Sequence, residues 1–286
     1  MINLNRDIGN PKDLTNVENH FSFGENWYDF KNNIDEKSIN KARENLEKLI
    51  TKEEIKGKTF LDIGSGSGIH SLAALLNDAS YVHSIDIDER SVLSSKETIK
   101  KFYNGDNYCV EEMSVLSSEI EKLKKFDIVY SWGVLHHTGL MLNAIECAAG
   151  LVKEGGLLVL ALYSKTFFCN LWKIEKKYYT KGPEWLRKSF RGIFKFLVRI
   201  DLRIKGESYS KFIHTYKNKR GMSFQHDVHD WLGGYPYESI TEKELTKFLA
   251  EKGFSLKRLI PYEGKIGLLG TGCFEATYKL RSNNAY

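Results

Sequence analysis

The 286-residue chain has only four cysteines, Cys109, Cys147, Cys169 and Cys273, widely spaced and with no CxxC pair. That scarcity excludes a disulfide framework and a zinc site built on paired thiols, and predicts reduced thiols in a cytoplasmic protein. Long apolar runs are missing too. The strongest, Gly156 to Tyr163, falls far short of the ~20 residues of a spanning helix, so no transmembrane segment is expected. The first six residues (Met-Ile-Asn-Leu-Asn-Arg) have no apolar core of signal-peptide length. There is no internal repeat and no low-complexity linker. Apolar residues at 42% and charged residues at 28% exclude a fibrous or disordered chain. No strong excess of one charge sign exists either, for the net is only +5.

That small net conceals an uneven distribution. Residues 165–220 hold 16 Lys/Arg against 4 Asp/Glu, a local +12 that leaves −7 on the remainder. From Lys58 to Tyr163, strand-type runs alternate with helix-type segments. Lys58–Ile63, Tyr81–Asp86, Asn107–Glu112, Phe126–Tyr130 and Leu157–Tyr163 read as strands, with helices over Ser67–Leu76, Asp88–Lys101 and Met141–Val152. Gly155-Gly156 reads as the stop after the last helix. Such alternation implies parallel βαβ units and a sheet covered on both faces. Thr241–Lys252 returns to helical spacing with Thr241 and Glu244 as a capping box, and Ser255–Pro261 and Cys273–Leu280 follow as a hairpin. Four regions result: an N-terminal helical arm or lid (1–56, helical from Asp35 to Ile50), a Rossmann-like core (57–163), a basic helical cap (164–240) and the completion of the core (241–286).

Chemistry concentrates first at Leu61-Asp62-Ile63-Gly64-Ser65-Gly66-Ser67-Gly68, where a strand gives way to a helix. Glycines at alternate positions let the backbone turn sharply and approach a ligand closely. Asp62 can fix the loop or bind an ammonium group. Asp86 ends the next strand, 18 residues after Gly68, where a carboxylate can accept both hydroxyls of a ribose. The spacing is G-x-G-x-G, with an acid two residues before the first glycine, and not the G-x-G-x-x-G of a dinucleotide fingerprint.

This D-x-G-x-G-x-G pattern with a strand-end acid resembles the class I S-adenosylmethionine-dependent methyltransferases. The resemblance covers about residues 57–163 and 241–280. Phe126–Gly139, with Trp132, His136 and His137, is similar to the fourth-strand segment of the bacterial small-molecule branch. Phe23–Trp27, Arg220–Ser223 and Asp230–Pro236 resemble a subgroup whose substrates are uncharacterised. The resemblance implies a mostly parallel seven-stranded sheet with an antiparallel last strand, S-adenosylmethionine as cofactor and S-adenosylhomocysteine as product. It places Gly64, Ser65, Gly66 and Gly68 beside the methionine moiety and Asp86 with Ile87 at the ribose and adenine. Ser114-Val115 falls at the adenine edge, with Trp132 also in the cofactor site. Where the subgroup continues Leu-Asp, Leu116 is here followed by Ser117.

Methyl transfer needs alignment above all, and a base only if the nucleophile carries a proton. No N-P-P-Y-type tetrapeptide follows the fourth strand, which argues against methylation of an adenine amine, and no cysteine for carbon methylation of a pyrimidine sits there. His136 and His137 do, past the strand end where ligands bind in such sheets. Each is a candidate general base, because histidine titrates near neutrality, and each could equally be a packed residue shaping the pocket. His226-Asp227-Val228-His229-Asp230 reads as one strand or loop whose alternating side chains suit pocket lining better than a metal. Trp27 and Tyr28, with Phe21 and Phe23, can fold over the cofactor mouth, and Tyr163 and Tyr235 join His226 and His229 as substrate or lid candidates.

Glu184–Lys205 reads as an amphipathic helix. Leu186, Phe190, Ile193, Phe194, Leu197 and Ile204 share an apolar side, and Arg187, Arg191, Lys195, Arg199 and Arg203 repeat every four residues. Like charges at that spacing repel by a few tenths of a kcal/mol per pair. A solvated face paired to acids of the remainder, a membrane-surface helix for a lipid-linked substrate and a phosphate track for nucleic acid remain open, nucleic acid ranking last. The expected acceptor is a small molecule, anionic or lipid-linked, methylated most readily on oxygen, with an RNA acceptor as the alternative.

Overall fold

Runs of mostly apolar residues can hide both faces of a strand only inside a sheet covered on each side. The computed structural model describes residues 34–220, 224–262 and 272–282, with the side chains at 217–220, 226 and 230 outside that description. Strands β1 (Thr59–Ile63), β2 (Tyr81–Asp86), β3 (Tyr108–Glu112), β4 (Phe126–Trp132), β5 (Val152–Tyr163), β6 (Phe254–Ile260) and β7 (Cys273–Leu280) form one sheet in the order β3-β2-β1-β4-β5-β7-β6. The strands from β1 to β5 pair in parallel, while β7 runs antiparallel to both its neighbours. The fold and its reversed last strand are those the sequence implies.

Helices cover each face. Helix α1 (Glu36–Leu49), capped by Asp35 accepting from the Ser38 amide at 2.8 Å, is followed by the single turn α2 (Lys52–Ile55). With α3 (Ile69–Leu76) and α4 (Glu89–Phe102), α1 buries Ile39, Leu46, Leu72 and Ile99 against Phe60, Val82 and Val159. Helices α5 (Met141–Gly150) and α10 (Glu242–Ala250, with its capping box) bury Ile145, Leu245 and Leu249 against Leu61, Val129 and Leu160 on the other face. At about 25 cal/mol per Å² of apolar surface, these two layers provide the main drive for folding.

One expectation needs correction. Gly155-Gly156 does not stop a helix before the last parallel strand. Helix α5 ends at Gly150, and the glycines lie inside β5, where the register slips from Phe126↔Val152 to Ile128↔Leu157. Gly155 takes φ 72°, and a Cβ on Gly156 would stand 2.7 Å from the Asp127 carbonyl oxygen, so the bulge needs both glycines.

The basic segment leaves the sheet at Tyr163 and returns beside it. The Ile240 amide bonds to the Tyr163 carbonyl at 3.1 Å and the Lys165 amide to the Ile240 carbonyl at 3.1 Å. Between these points lie α6 (Cys169–Lys181), α7 (Glu184–Ile204), α8 (Tyr209–Arg220) and α9 (Phe224–Gly233). They enclose a small core of Tyr179, Phe224, Val228 and Leu232, against which Phe190, Phe194 and Val198 pack. The 226–230 segment is therefore helical and not a strand or loop, and the alternation expected of its side chains does not apply.

Helix α7 also departs from the single apolar side read in its sequence. Phe190, Phe194 and Val198 face the small core, whereas Ile193, Leu197 and Ile204 are 58%, 53% and 77% exposed. Three of its cations are used locally. Arg187 donates to the carbonyls of Tyr179 (3.1 Å) and Thr180 (2.8 Å), closing the end of α6. Arg191 donates to the Tyr179 hydroxyl at 3.1 Å and to Glu184 at 2.5 Å, and Arg199 lies 4.5 Å from the Tyr209 ring centre. Among the described residues no helix is long and apolar enough to cross a membrane.

Candidate functional site

The strand order reverses between β1 and β4, and in such sheets ligands bind at that point, beyond the carboxyl ends of the strands. The glycine loop occupies one rim. The amides of Gly64 and Ser65 bond to the Ile85 carbonyl at 2.8 and 3.2 Å, tying the loop to the end of β2. Gly64 takes φ 78°, and a Cβ there would stand 2.4 Å from Val134 Cγ2. Gly68 takes φ 76°, and its Cβ would stand 2.7 Å from the Ser95 backbone. Both positions demand glycine on conformation and on space.

Two carboxylates flank the loop. Asp86 accepts from the Gly66 amide at 2.9 Å and the Asp88 amide at 3.0 Å, yet burial still pushes its carboxyl up to about 6. Asp62, fully inside, accepts from the Ser71 hydroxyl at 2.5 Å. Burial, with Asp86's charge adding, raises it to about 7. Each carboxylate would gain from a positively charged or hydroxyl-bearing ligand. Sequence reasoning missed the serines that hold this rim. Ser84 donates to Ser71 at 2.8 Å, and Ser95 bonds to the Ser65 hydroxyl at 2.9 Å and the Gly66 carbonyl at 3.0 Å.

The remaining cofactor candidates divide. Ile87 lies half-buried just past β2. The Met113 amide bonds to the Asp86 carbonyl at 2.9 Å, bringing Ser114 beside the strand end. Ser114 accepts from the Leu116 amide at 3.1 Å, and Val115 is 5% exposed and belongs to the sheet's core. Trp132, 40% exposed, ends β4 with its ring centre 5.9 Å from that of His70, a second residue the sequence did not single out.

The opposite rim is aromatic. His136 and His137 sit in a short turn after β4, and the Tyr163 ring stands 4.0 and 5.4 Å from them. Their hydrogen bonds assign different tautomers. The Tyr163 amide donates to His136 Nδ1 at 3.3 Å, so His136 Nδ1 carries the lone pair. Burial first, then the neighbouring charges of His137 and Lys176, holds His136 neutral. His137 Nδ1 faces the Pro236 carbonyl at 2.8 Å and must donate, so the lone pair of neutral His137 is on Nε2. Gly234 packs so closely that a Cβ would stand 2.6 Å from His137 Cε1. Tyr235 precedes the proline that holds His137, and Tyr237, unanticipated from sequence, packs its ring at a tilt on Tyr163, centres 5.1 Å apart.

Cap residues complete this rim. Lys176, wholly buried, donates to the Trp231 carbonyl and lies 4.4 Å from the Trp231 ring and 5.6 Å from the Tyr237 ring. Burial lowers its ammonium and raises the Glu175 carboxyl beside it, and among the described residues both Glu175 oxygens and Trp172 Nε1 have no hydrogen-bond partner. His229 is drawn into the cap's own core instead, Nδ1 against the Tyr179 hydroxyl at 2.5 Å. Trp27 and Tyr28 lie outside the described residues, as does the side chain of His226. Among the described residues, His83, Cys109 and Glu111 bring three metal-type ligand atoms within 4.8 Å on the β2–β3 pair, with His83 Nε2 and Glu111 already hydrogen-bonded at 2.6 Å.

Residues 61–158, which hold the glycine loop and both histidines, match the family described as a methyltransferase domain. Within those residues the chain carries a methyltransferase domain. The domain is 34% identical over 108 residues to tRNA U34 carboxymethyltransferase of Pseudoalteromonas translucida, a stretch that is 38% of this chain and 33% of that protein. It is 33% identical over 105 residues to ribosomal protein L11 methyltransferase of Idiomarina loihiensis, 37% of this chain and 33% of that protein. The match thus spans about a third of these curated relatives. Among solved structures, magnesium protoporphyrin IX methyltransferase of Synechocystis PCC 6803 with bound SAM superposes with a TM-score of 0.54 at 13% identity, over 96% of this chain and 99% of that one. At that identity the likeness is one of fold.

Proposed function

We propose that this chain transfers a methyl group from S-adenosylmethionine to a small-molecule acceptor, most readily an oxygen. One observation carries the reading. The Gly64–Gly68 cradle and the Asp86 carboxylate lie at the ends of β1 and β2 on one side of the switch point, and His137 follows β4 on the other, with its lone pair on Nε2. The residues fit the cofactor. Side chains are excluded at Gly64 and Gly68, Asp62 suits an ammonium, and Asp86 with Ile87 suits the ribose and adenine. When bound, S-adenosylmethionine supplies an electrophilic methyl group on a positively charged sulfur.

The chain's own residues then position and deprotonate. Tyr163, Tyr237 and Trp132 give the acceptor flat apolar walls, and the cap above them excludes water. His137 Nε2 takes the acceptor's proton, while the Pro236 carbonyl on Nδ1–H holds the ring in that tautomer and steadies the imidazolium. The basic nitrogen of His136 accepts the Tyr163 amide. Glu175 and Trp172, both unsatisfied, offer an acceptor and a donor to a polar substrate group. An RNA acceptor on the cap's cations is less favoured, since Arg187, Arg191 and Arg199 are spent on contacts within the cap.

Calorimetry with S-adenosylhomocysteine tests the cofactor, and unchanged affinity in Asp86→Ala would sink that part. Incubation with labelled cofactor and fractionated extract tests the acceptor. Label appearing only in RNA or protein would replace the small-molecule reading.

A further inference from the structure

The cap exposes apolar surface that folding leaves uncovered. Of 17 large apolar residues exposed among the described residues, 12 lie between 167 and 213. On α7 the exposed Trp185, Ile193, Phe196, Leu197, Ile200 and Ile204 fall within a roughly 120° sector at 3.6 residues per turn. The core-facing Phe190, Phe194, Val198 and Leu202 fill the adjoining third. Along α6 and the residue pair before it, Phe167 (93% exposed), Leu171, Ile174 and Tyr178 make a narrower stripe of the same kind. Scattered surface leucines are ordinary, but two continuous stripes on adjacent helices are not.

We propose that these stripes dock the cap on the surface of an anionic phospholipid membrane. Charge selects this occupant over a second copy of the chain. Lys188, Lys195 and Arg203 border the α7 stripe and make no ion pair among the described residues, and the segment carries +12. Pairing two such faces would bring like charges together, whereas an anionic headgroup layer neutralises them. Trp185 and Tyr178, each with an apolar body and a polar tip, suit the headgroup boundary, and long cationic side chains reach past buried apolar ones to the phosphates. With no spanning helix in the described residues, the helices lie in the interface plane.

Docking is independent of the methyl-transfer reading, and its test uses the full chain. Co-sedimentation with vesicles of mixed phosphatidylcholine and phosphatidylglycerol should retain the protein, and pure phosphatidylcholine should retain far less. The double variant Phe196→Asp/Ile200→Asp should abolish retention. The triple variant Lys188→Gln/Lys195→Gln/Arg203→Gln should weaken it about a hundredfold, at about 1 kcal/mol per cation near the surface. Both variants should keep wild-type heat with S-adenosylhomocysteine, which separates a failed surface from a failed fold or cofactor site. Equal retention of wild type and both variants would overturn the proposal. So would a wild-type dimer in light scattering that Phe196→Asp/Ile200→Asp converts to a monomer that vesicles do not distinguish from wild type.

Discussion

The core and the cap solve the burial problem in opposite ways. Around the glycine loop, polar groups are sunk and bonded to one another: Asp62 to Ser71, Ser71 to Ser84, Ser95 to Ser65 and Gly66. In the cap, apolar groups are left in water and cations are spent on bracing helix ends. The core tolerates little change because its ligand cradle is set by backbone. The outer faces of the cap tolerate much, since nothing in the fold depends on them. The cofactor cradle and the tolerant outer faces thereby lie in different parts of the chain.

Substitution at Gly64 should do the most damage. Gly64→Ala puts a methyl group 2.4 Å from Val134 Cγ2 at φ 78°. Such strain costs about 1–3 kcal/mol before any ligand arrives. Calorimetry should find no S-adenosylhomocysteine binding, and the melting temperature should fall by several degrees.

The two histidines sharpen the contrast between reacting and packing. His137→Ala should lower turnover by about 10²–10⁴ with cofactor affinity kept, as expected for loss of a base. His136→Ala should act mainly on stability, by leaving a hole under Tyr163. Equal turnover losses at unchanged stability would remove the distinction drawn from their tautomers.

Acid should weaken cofactor binding next. A cationic ligand binds the ionised carboxylates, so protons compete as pH falls through about 7 (Asp62) and about 6 (Asp86). Affinity should fall by up to about tenfold per pH unit for each group once protonated, with proton release on binding in and below that range and none well above it. For folding the sign reverses. Both pKa values are raised by burial, so these carboxyls favour the folded state in acid and oppose it as pH rises from about 4 to 7.

Smaller effects remain on each side. Arg191→Ala removes the bond that joins α7 to Tyr179 and a second one within α7 to Glu184, and should cost about 1 kcal/mol in thermal melts while leaving cofactor heat intact. Asp127 accepts from the Thr59 amide (3.0 Å), the Thr59 hydroxyl (2.6 Å) and Lys153 (2.9 Å). Burial opposes ionisation there, but these bonds win and hold the carboxyl down to about 2. Its contribution is present above about pH 4 and lost as pH falls through 2. Asp127→Asn should therefore lower melting temperature slightly at pH 7 and scarcely at all near pH 2.

Much of the core was legible because its signals are local. Acid-ended strands, alternate glycines and the Thr241–Glu244 capping box each have one physical meaning. The Gly155-Gly156 pair has two, a helix stop or a bulge, and only the register with β4 decides. Ser71, Ser84 and Ser95 read as surface residues in any helix or strand, so the network beneath the loop left no trace in the pattern. On α7, periodicity marks apolar residues but cannot say which of two adjoining sectors is covered. The helical state of 226–230 escaped because a run of His and Asp carries weak propensity of any kind.

The return of the chain at Ile240 to within 3.1 Å of its departure at Tyr163 has a mechanical meaning. Only two backbone crossings join the four-helix cap to the sheet, side by side, with Ser164 and Ile240 forming a bridge between them. The 234–238 stretch seats this body on the sheet's rim, Pro236 on His137 and Glu238 on His136 and Met141, without adding a rung to the sheet. The same junction is a graft point: a segment of any length and partner can be spliced there, and the register of β5 with β7 will not notice.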